Sequence, residues 1–279
     1  MTSFGYNVLG FGGNPSDEFY EVTISSNVDN FNLATHLSSN TTYNGSTAAD
    51  FFVTINSGVV VGGFPEGTTY SSTSPTFTGV SNPPYDNDYY VNKTGIAFDT
   101  GSLGTGSRLF ITNDGTILGF GGRGGSLDGN GSGTHPDGRL YRNGGNGGTA
   151  FKTTITTFFT NNGKLQGGGG GGGASAIIDT IGGSGGGGGA GAAPGLGGAG
   201  VGINGINGQN ATETAGASGG SHGGRTGGTG GAPGVAGSNG TASGSITFPI
   251  GTAGSAGNYI EGNSLTTFLV TGTRAGGVA

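Results

Sequence analysis

The chain has 279 residues, of which 71 are glycine, with 9 Lys and Arg against 15 Asp and Glu, 3 His, no Cys and no Trp. A net charge of −6 and a pI near 4.8 argue against nucleic-acid binding through phosphate neutralisation. The absence of cysteine excludes disulfide staples and zinc–thiolate sites. No run of about 18 apolar residues is available to cross a membrane as a helix. The amino terminus, Met1-Thr-Ser-Phe-Gly-Tyr, has neither the basic flank nor the apolar core of a signal peptide, which predicts a protein with no Sec signal and no membrane insertion.

Along the first half, short β-branched or aromatic runs bounded by Asn, Ser, Gly and Pro predict strands at Phe19–Ile24, Phe51–Ile55, Val59–Val61 and Arg108–Thr112. Within 28–37, Phe31, Leu33, Ala34 and Leu37 share one helical face and predict a short helix in an otherwise all-β chain. The pattern Asn-x-Gly-x-x-x-Gly then occurs three times after a strand, at Asn56–Gly62, Asn113–Gly119 and Asn161–Gly167. Asn and Gly tolerate positive φ, so each Asn-x-Gly predicts a tight turn into a short second strand, and three such arcs can stack into one β-scaffold. Glycine after each arc grows from Gly62-Gly63, through Gly119-Phe-Gly-Gly-Arg-Gly-Gly125, to the unbroken run Gly167–Gly173.

Two loops between these elements stand out for their aromatics. Tyr85, Tyr89 and Tyr90 lie in Pro83–Tyr90, and His135 and Tyr141 in His135–Tyr141, both with Asp or Arg nearby. Flat rings that cover apolar faces, beside polar groups that meet hydroxyls, suit a carbohydrate or protein-surface reader. The competing reading packs these rings under their own loops. Asp128, Asn130 and Ser132 offer oxygen ligands at alternate positions with Gly133 sixth, as a calcium loop does, but Arg139 stands where the bidentate Glu belongs. A plain turn is the expectation there, with no metal and no cofactor.

From Gly167 onward, glycine recurs every third residue in short runs, as at Gly202, Gly205 and Gly208 and again at Gly231, Gly234, Gly237 and Gly240. Ordering so much glycine costs roughly 1–2 kcal/mol per residue in backbone entropy, so the tract either stays a flexible linker or recovers the loss by dense backbone packing. A period of three favours the second, because it is the repeat of an extended left-handed helix with one bare face. Collagen is excluded by register breaks after Gly191, Gly198 and Gly208 and by only 9 prolines in the chain. As a single rod the tract would reach roughly 240 Å, whereas about six to eight rods laid side by side make a compact block. The breaks between runs, Ala174–Ile181, Asn207–Ala217 and Ser221–Thr229, are further loop candidates, with His222 and Arg225 their most distinctive side chains. The carboxy-terminal part returns to strands at Ser245–Phe248 and Leu265–Val270, which are expected to close the sheet.

Catalysis finds little support. The three histidines, His36, His135 and His222, lie in unrelated contexts, and neither a Gly-x-Ser-x-Gly elbow nor a Cys nucleophile is present. Gly-x-Gly-x-x-Gly matches carry no information in such a sequence, and no Gly-Lys-Ser/Thr ending makes a phosphate loop. Asp86, Asp88 and Asp99 are available as paired carboxylates for glycoside hydrolysis, but acidic residues in Pro/Asn/Tyr-rich loops read first as solvated turns.

The succession Ile111–Gly125, Asn143–Ala150 and Asn161–Gly173 resembles the glycine-rich tail-fibre and tail-tip proteins of tailed bacteriophages over roughly residues 100–245. The polyglycine portion is also similar to the distal adhesins of T-even-like phages, in which a sandwich of polyglycine helices carries variable loops. That resemblance implies a virion structural protein at a fibre or tail tip, made in the host cytoplasm. Its partners would be other virion proteins and a host glycan or outer-membrane protein. The chain departs from those adhesins in lacking Trp in its first part. The combined expectation is an all-β fold with a polyglycine-II helix bundle. Residues 1–120 form a β-rich virion-docking region, 121–244 a glycine-rich domain and 245–279 the closing strands. Receptor contacts fall on Tyr85, Tyr89, Tyr90, His135, Tyr141, His222 and Arg225. A homo-oligomer, of which a trimer suits a fibre, accompanies this reading. A purely structural virion component, such as a capsid decoration or tail-associated protein, is the competing one.

Overall fold

The computed structural model describes residues 18–65, 95–127, 142–176, 182–200, 204–242 and 250–279. Its strands wind into a three-sided parallel coil. The first rung is β1 (Phe19–Ile24), β2 (Val28–Asp29) and β3 (Phe31–Asn32), followed by helix α1 (Leu33–Asn40). The second is β4 (Asp50–Ile55), β5 (Val60–Gly62) and β6 (Phe98–Asp99), and the third β7 (Arg108–Asn113), β8 (Thr116–Leu118) and β9 (Phe151–Lys152). The fourth rung begins with β10 (Thr156–Asn161) and β11 (Lys164–Gln166). It is interrupted by a hairpin of β12 (Ser221–His222) and β13 (Arg225–Thr226), and is completed by β14 (Asn258–Glu261). The last rung is β15 (Thr266–Val270), β16 (Thr273–Ala275) and β17 (Gly277–Val278). Equivalent strands of successive rungs form three sheets, β1-β4-β7-β10-β15, β2-β5-β8-β11-β16 and β3-β6-β9-β14-β17, in which every pairing is parallel.

This topology follows from alternation. Val22 and Ile24, then Phe51, Val53 and Ile55, then Leu109 and Ile111, then Phe159 point inward and are buried, while the residues between them face out. A one-residue slip would turn each set to solvent, so the register is fixed. On the third sheet Phe31, Phe98 and Phe151 are in register and their rings meet at 5.1 and 5.3 Å, a ladder inside the coil. Each fully buried Phe contributes about 1.5–3 kcal/mol. Helix α1 starts where the Asn32 side chain accepts the Thr35 N–H at 3.0 Å, and it buries Leu33 and Leu37. It begins later than the apolar spacing predicts because Val28–Asp29 and Phe31–Asn32 pair as strands instead.

The Asn-x-Gly turns are arcs that carry the chain from the first sheet to the second. Asn113 and Asn161 are fully buried and in register, with Asn113 Nδ2 donating to Asn161 Oδ1 at 2.8 Å and Asn161 Nδ2 donating to the Thr271 carbonyl at 3.0 Å. The first arc differs: Ile55 occupies the position of these asparagines, Asn56 is exposed, and the longer path to Val60 passes through Gly58 at φ 79°.

The long insertions leave one corner of the coil, between the second and third strands of a rung: 63–97, 119–150 and 167–257. In the latter two the backbone bonds outward with a period of three. Gly119, Gly122 and Gly125 donate to the carbonyls of Gln166, Gly169 and Gly172, while Gly121, Gly124 and Leu127 donate to Ala193, Leu196 and Ala199. The carbonyls of Phe120 and Arg123 in turn accept from Gly148 and Gly145, a neighbour running the opposite way. The same pattern links Gly168 and Gly171 to Gly148 and Gly145, and Gly228, Gly231 and Gly234 to Gly173, Gly170 and Gly167. Each segment therefore faces several others at once, and a Cβ on Gly122, Gly171 or Gly186 would fall on a neighbour's carbonyl.

Candidate functional site

Turns between glycine segments reach the surface where side chains reappear. At Ser221–Thr229 the strands β12 and β13 pair antiparallel, with Gly223 and Gly224 at φ 56° and 79° between them. Two successive positive φ values make a primed two-residue turn, which only glycine enters without strain. His222 and Arg225 are cross-strand partners beside that turn, yet their environments differ. His222 is exposed. Arg225 is 8% exposed, and its Nη1 donates to the Gly182 carbonyl at 3.1 Å. The guanidinium thus anchors the hairpin to the block beneath it.

The Asn207–Ala217 turn is pegged by amides. Asn207 and Asn210 accept the N–H groups of Gly200 and Gly197 through Oδ1, both at 2.9 Å, and Thr212 Oγ1 accepts from Ala215 at 3.1 Å. Glu213 projects from this turn, exposed. Of Ala174–Ile181, the first three residues are buried and 177–181 lie outside the described residues. Tyr85, Tyr89, Tyr90, His135 and Tyr141 also lie outside them, as do Asp128, Asn130 and Ser132. Among the described residues, no group of three or more His, Asp or Glu is placed to hold a metal ion.

A second surface lies on the coil. On the outer face of the first sheet Phe52, Phe110 and Phe158 stand in register and stack, with ring centroids 5.0 Å apart in both pairs and planes inclined by 11° and 12°. Thr54, Thr112 and Thr160 form the next row. In the row before, Arg108 donates two hydrogen bonds to Asp50, at 2.9 and 2.6 Å, which raise the guanidinium pKa further, and its Cζ lies 5.7 Å from the Phe110 ring. Phe19 at 67% and Leu269 at 62% exposure extend the apolar area to both edges. Strand prediction from single segments missed this face. The signal was Phe at the third position of Asp50–Ile55, Arg108–Asn113 and Thr156–Asn161, visible once the strands are laid one above another.

A family model described as phage tail fibre adhesin Gp38 matches residues 19–279. The chain belongs to this family. The adhesin is therefore a structural protein of the virion, a tail-fibre component acting in host-receptor recognition. Among solved structures it is similar to the "gp37-gp38 adhesin tip complex of the bacteriophage S16 long tail fiber", at 23% identity and a TM-score of 0.48, over 94% of this chain and 82% of that one. No curated protein matches it. No helix among the described residues of the adhesin is long and apolar enough to cross a membrane.

Proposed function

We propose that the adhesin works by binding alone, without catalysis, through two separate surfaces. The outer face of the coil docks onto another tail-fibre protein, and the turns of the glycine block meet the host receptor, a surface glycan or an outer-membrane protein. The observation that carries this reading is the common corner from which the long insertions leave, which segregates surface turns from a coil face where Phe52 is exposed and Phe110 and Phe158, stacked on it in turn, are half-buried. In this arrangement the first 120 residues contribute the opening rungs of the docking coil, 121–244 the receptor block together with the coil strands β9 to β11, and 245–279 the closing strands. The glycine segments act as polyglycine-II helices, a reading supported by backbone bonds that turn to new neighbours every third residue. Such a block is a stiff mount for loops.

Within the block, His222 and the Asn207–Ala217 turn offer accessible groups, and Arg225 acts by holding the hairpin in place. Tyr85, Tyr89, Tyr90, His135 and Tyr141 remain proposed receptor contacts on the grounds of their chemistry. Weak single contacts are multiplied by the number of fibres on a particle. A homotrimer of the adhesin would bury the same outer coil face as a fibre partner, and sedimentation of the isolated chain separates the two cases.

The test is adsorption of purified adhesin to host cells and competition with infection, for the parent chain and for a variant with Asn207–Ala217 and Ser221–Thr229 replaced by Gly/Ser. Saturable binding that blocks infection and disappears in the variant is expected. Undiminished blocking by a folded variant would place the receptor contacts elsewhere.

A further inference from the structure

A groove of about 610 Å³ lies at the seam between the first rungs of the second sheet and the glycine block, lined in part by Asn27, Asp29, Phe64, Leu196, Asn210 and Glu213. Its size falls within the range of small-ligand sites, about 300–1,000 Å³. Two of its amides are held in place. Asn27 Oδ1 accepts the Val60 N–H and Asn210 Oδ1 the Gly197 N–H, each at 2.9 Å, so the Nδ2 group of each is left as a fixed donor. Among the described residues, the Asp29 and Glu213 carboxylates have no hydrogen-bond or ion-pair partner and no Lys, Arg or His lines the groove. Partial burial raises the Asp29 carboxyl above its ordinary value, while the residue stays open to solvent. Leu196, Pro194 and the edge of Phe64 supply an apolar wall.

Two free carboxylates, two oriented amide donors and an apolar strip are the complement of a sugar ring, which offers paired hydroxyl donors, oxygen acceptors and a C–H face. We propose that this groove is a saccharide subsite selective for neutral or amino sugars and closed to acidic ones. A sugar carboxylate or phosphate would stand beside Asp29 and Glu213 with no cation to offset it, whereas hydroxyls or an ammonium donate to both. The inference rests on the receptor reading above, because Asn210 and Glu213 belong to the Asn207–Ala217 turn, and it names the class of ligand.

The test titrates the full-length adhesin with methyl glucoside and methyl galactoside, with glucosamine and galactosamine, and with glucuronate and galacturonate, followed by calorimetry or protein-observed NMR. Saturable binding of a neutral or amino sugar is expected, with the acidic sugars at least about tenfold weaker. The double variant Asp29→Asn/Glu213→Gln should bind that sugar at least about fivefold less well with an unchanged melting profile at low pH, where Asp29 of the parent is itself protonated. An acidic sugar bound as tightly as the others, binding indifferent to the double variant, or no binding across the panel would each overturn the proposal. Adsorption of the double variant to host cells is measured alongside. Full adsorption without sugar binding removes the subsite and keeps the receptor reading, and sugar binding by a parent chain that does not adsorb does the reverse.

Discussion

Gly171→Ala is the sharpest test of the glycine block. A methyl group there falls on the Arg123 carbonyl and within 3.0 Å of the Gly122 oxygen, against an ordinary carbon-to-oxygen contact of about 3.3–3.6 Å. The two segments must part by more than about 1 Å to admit it. That movement strains the bonds from Gly171 N to Gly145 O at 2.9 Å and from Gly254 N to Gly171 O at 2.8 Å. Losing two such bonds at about 1 kcal/mol each, with an overpacking cost of about 1–3 kcal/mol, outweighs the 0.4–1 kcal/mol or so that alanine gains by restricting the unfolded chain. The expected net loss is about 3 kcal/mol, or a melting temperature lower by about 5–10 °C. Gly145→Ala is the matched control, because its methyl meets nothing closer than the Arg123 nitrogen at 3.1 Å. It should stay within about 1 kcal/mol of the parent. Calorimetric melts of the three chains decide the matter, and a Gly171→Ala melt within 2 °C or so of Gly145→Ala would refute the packing argument.

Asn161→Ala removes donors to the Thr271 and Thr273 carbonyls and orphans Asn113 Nδ2 on one side, so urea unfolding should show a loss of about 2–3 kcal/mol. Asn113→Ala added to it should cost less than the sum of the single changes, since the two share one bond. Phe110→Ser takes the middle ring from the outer ladder. It should lower affinity for the recombinant fibre partner by about tenfold or more in a biosensor assay, while costing the fold only about 1–3 kcal/mol for two ring pairs. Partial burial raises the folded pKa of Asp29 above the ordinary aspartate value, so its ionisation favours unfolding. The parent loses that increment of stability as pH rises through the raised value. Asp29→Asn should therefore melt higher than the parent at pH 7 and level with it at pH 3.

Much of the coil was legible in single segments. Phe19–Ile24 and Arg108–Thr112 announce themselves by β-branched and aromatic residues, and the Asn-x-Gly arcs by their spacing. The third sheet was not, because Phe98–Asp99 and Phe151–Lys152 are two-residue strands whose only cue is one inward Phe each. Nor does the sequence distinguish Asn56 from Asn113 and Asn161. Which of the three enters the core depends on arc length against the rung below, a relation between distant segments. At the candidate site, His222 and Arg225 are equally polar in the sequence and, as cross-strand partners, share one face of the hairpin, so only the Gly182 carbonyl that the guanidinium reaches separates the buried arginine from the exposed histidine.

The corner from which the insertions depart also sets rules for how such a chain can change length. Between Gln166 and Asn258 the coil requires only that the path return, and each doubling of a flexible connection costs about 0.6 kcal/mol in closure entropy. The coil is therefore nearly indifferent to how much material is inserted there. The block itself is not, because its bonds recur every third residue and a single added residue shifts all later donors to the wrong neighbour. Insertions and deletions within its segments are tolerated in triplets, while the turns accept any number. Natural variation in length should therefore be quantised in the rods and continuous at their ends, where a host surface would be met.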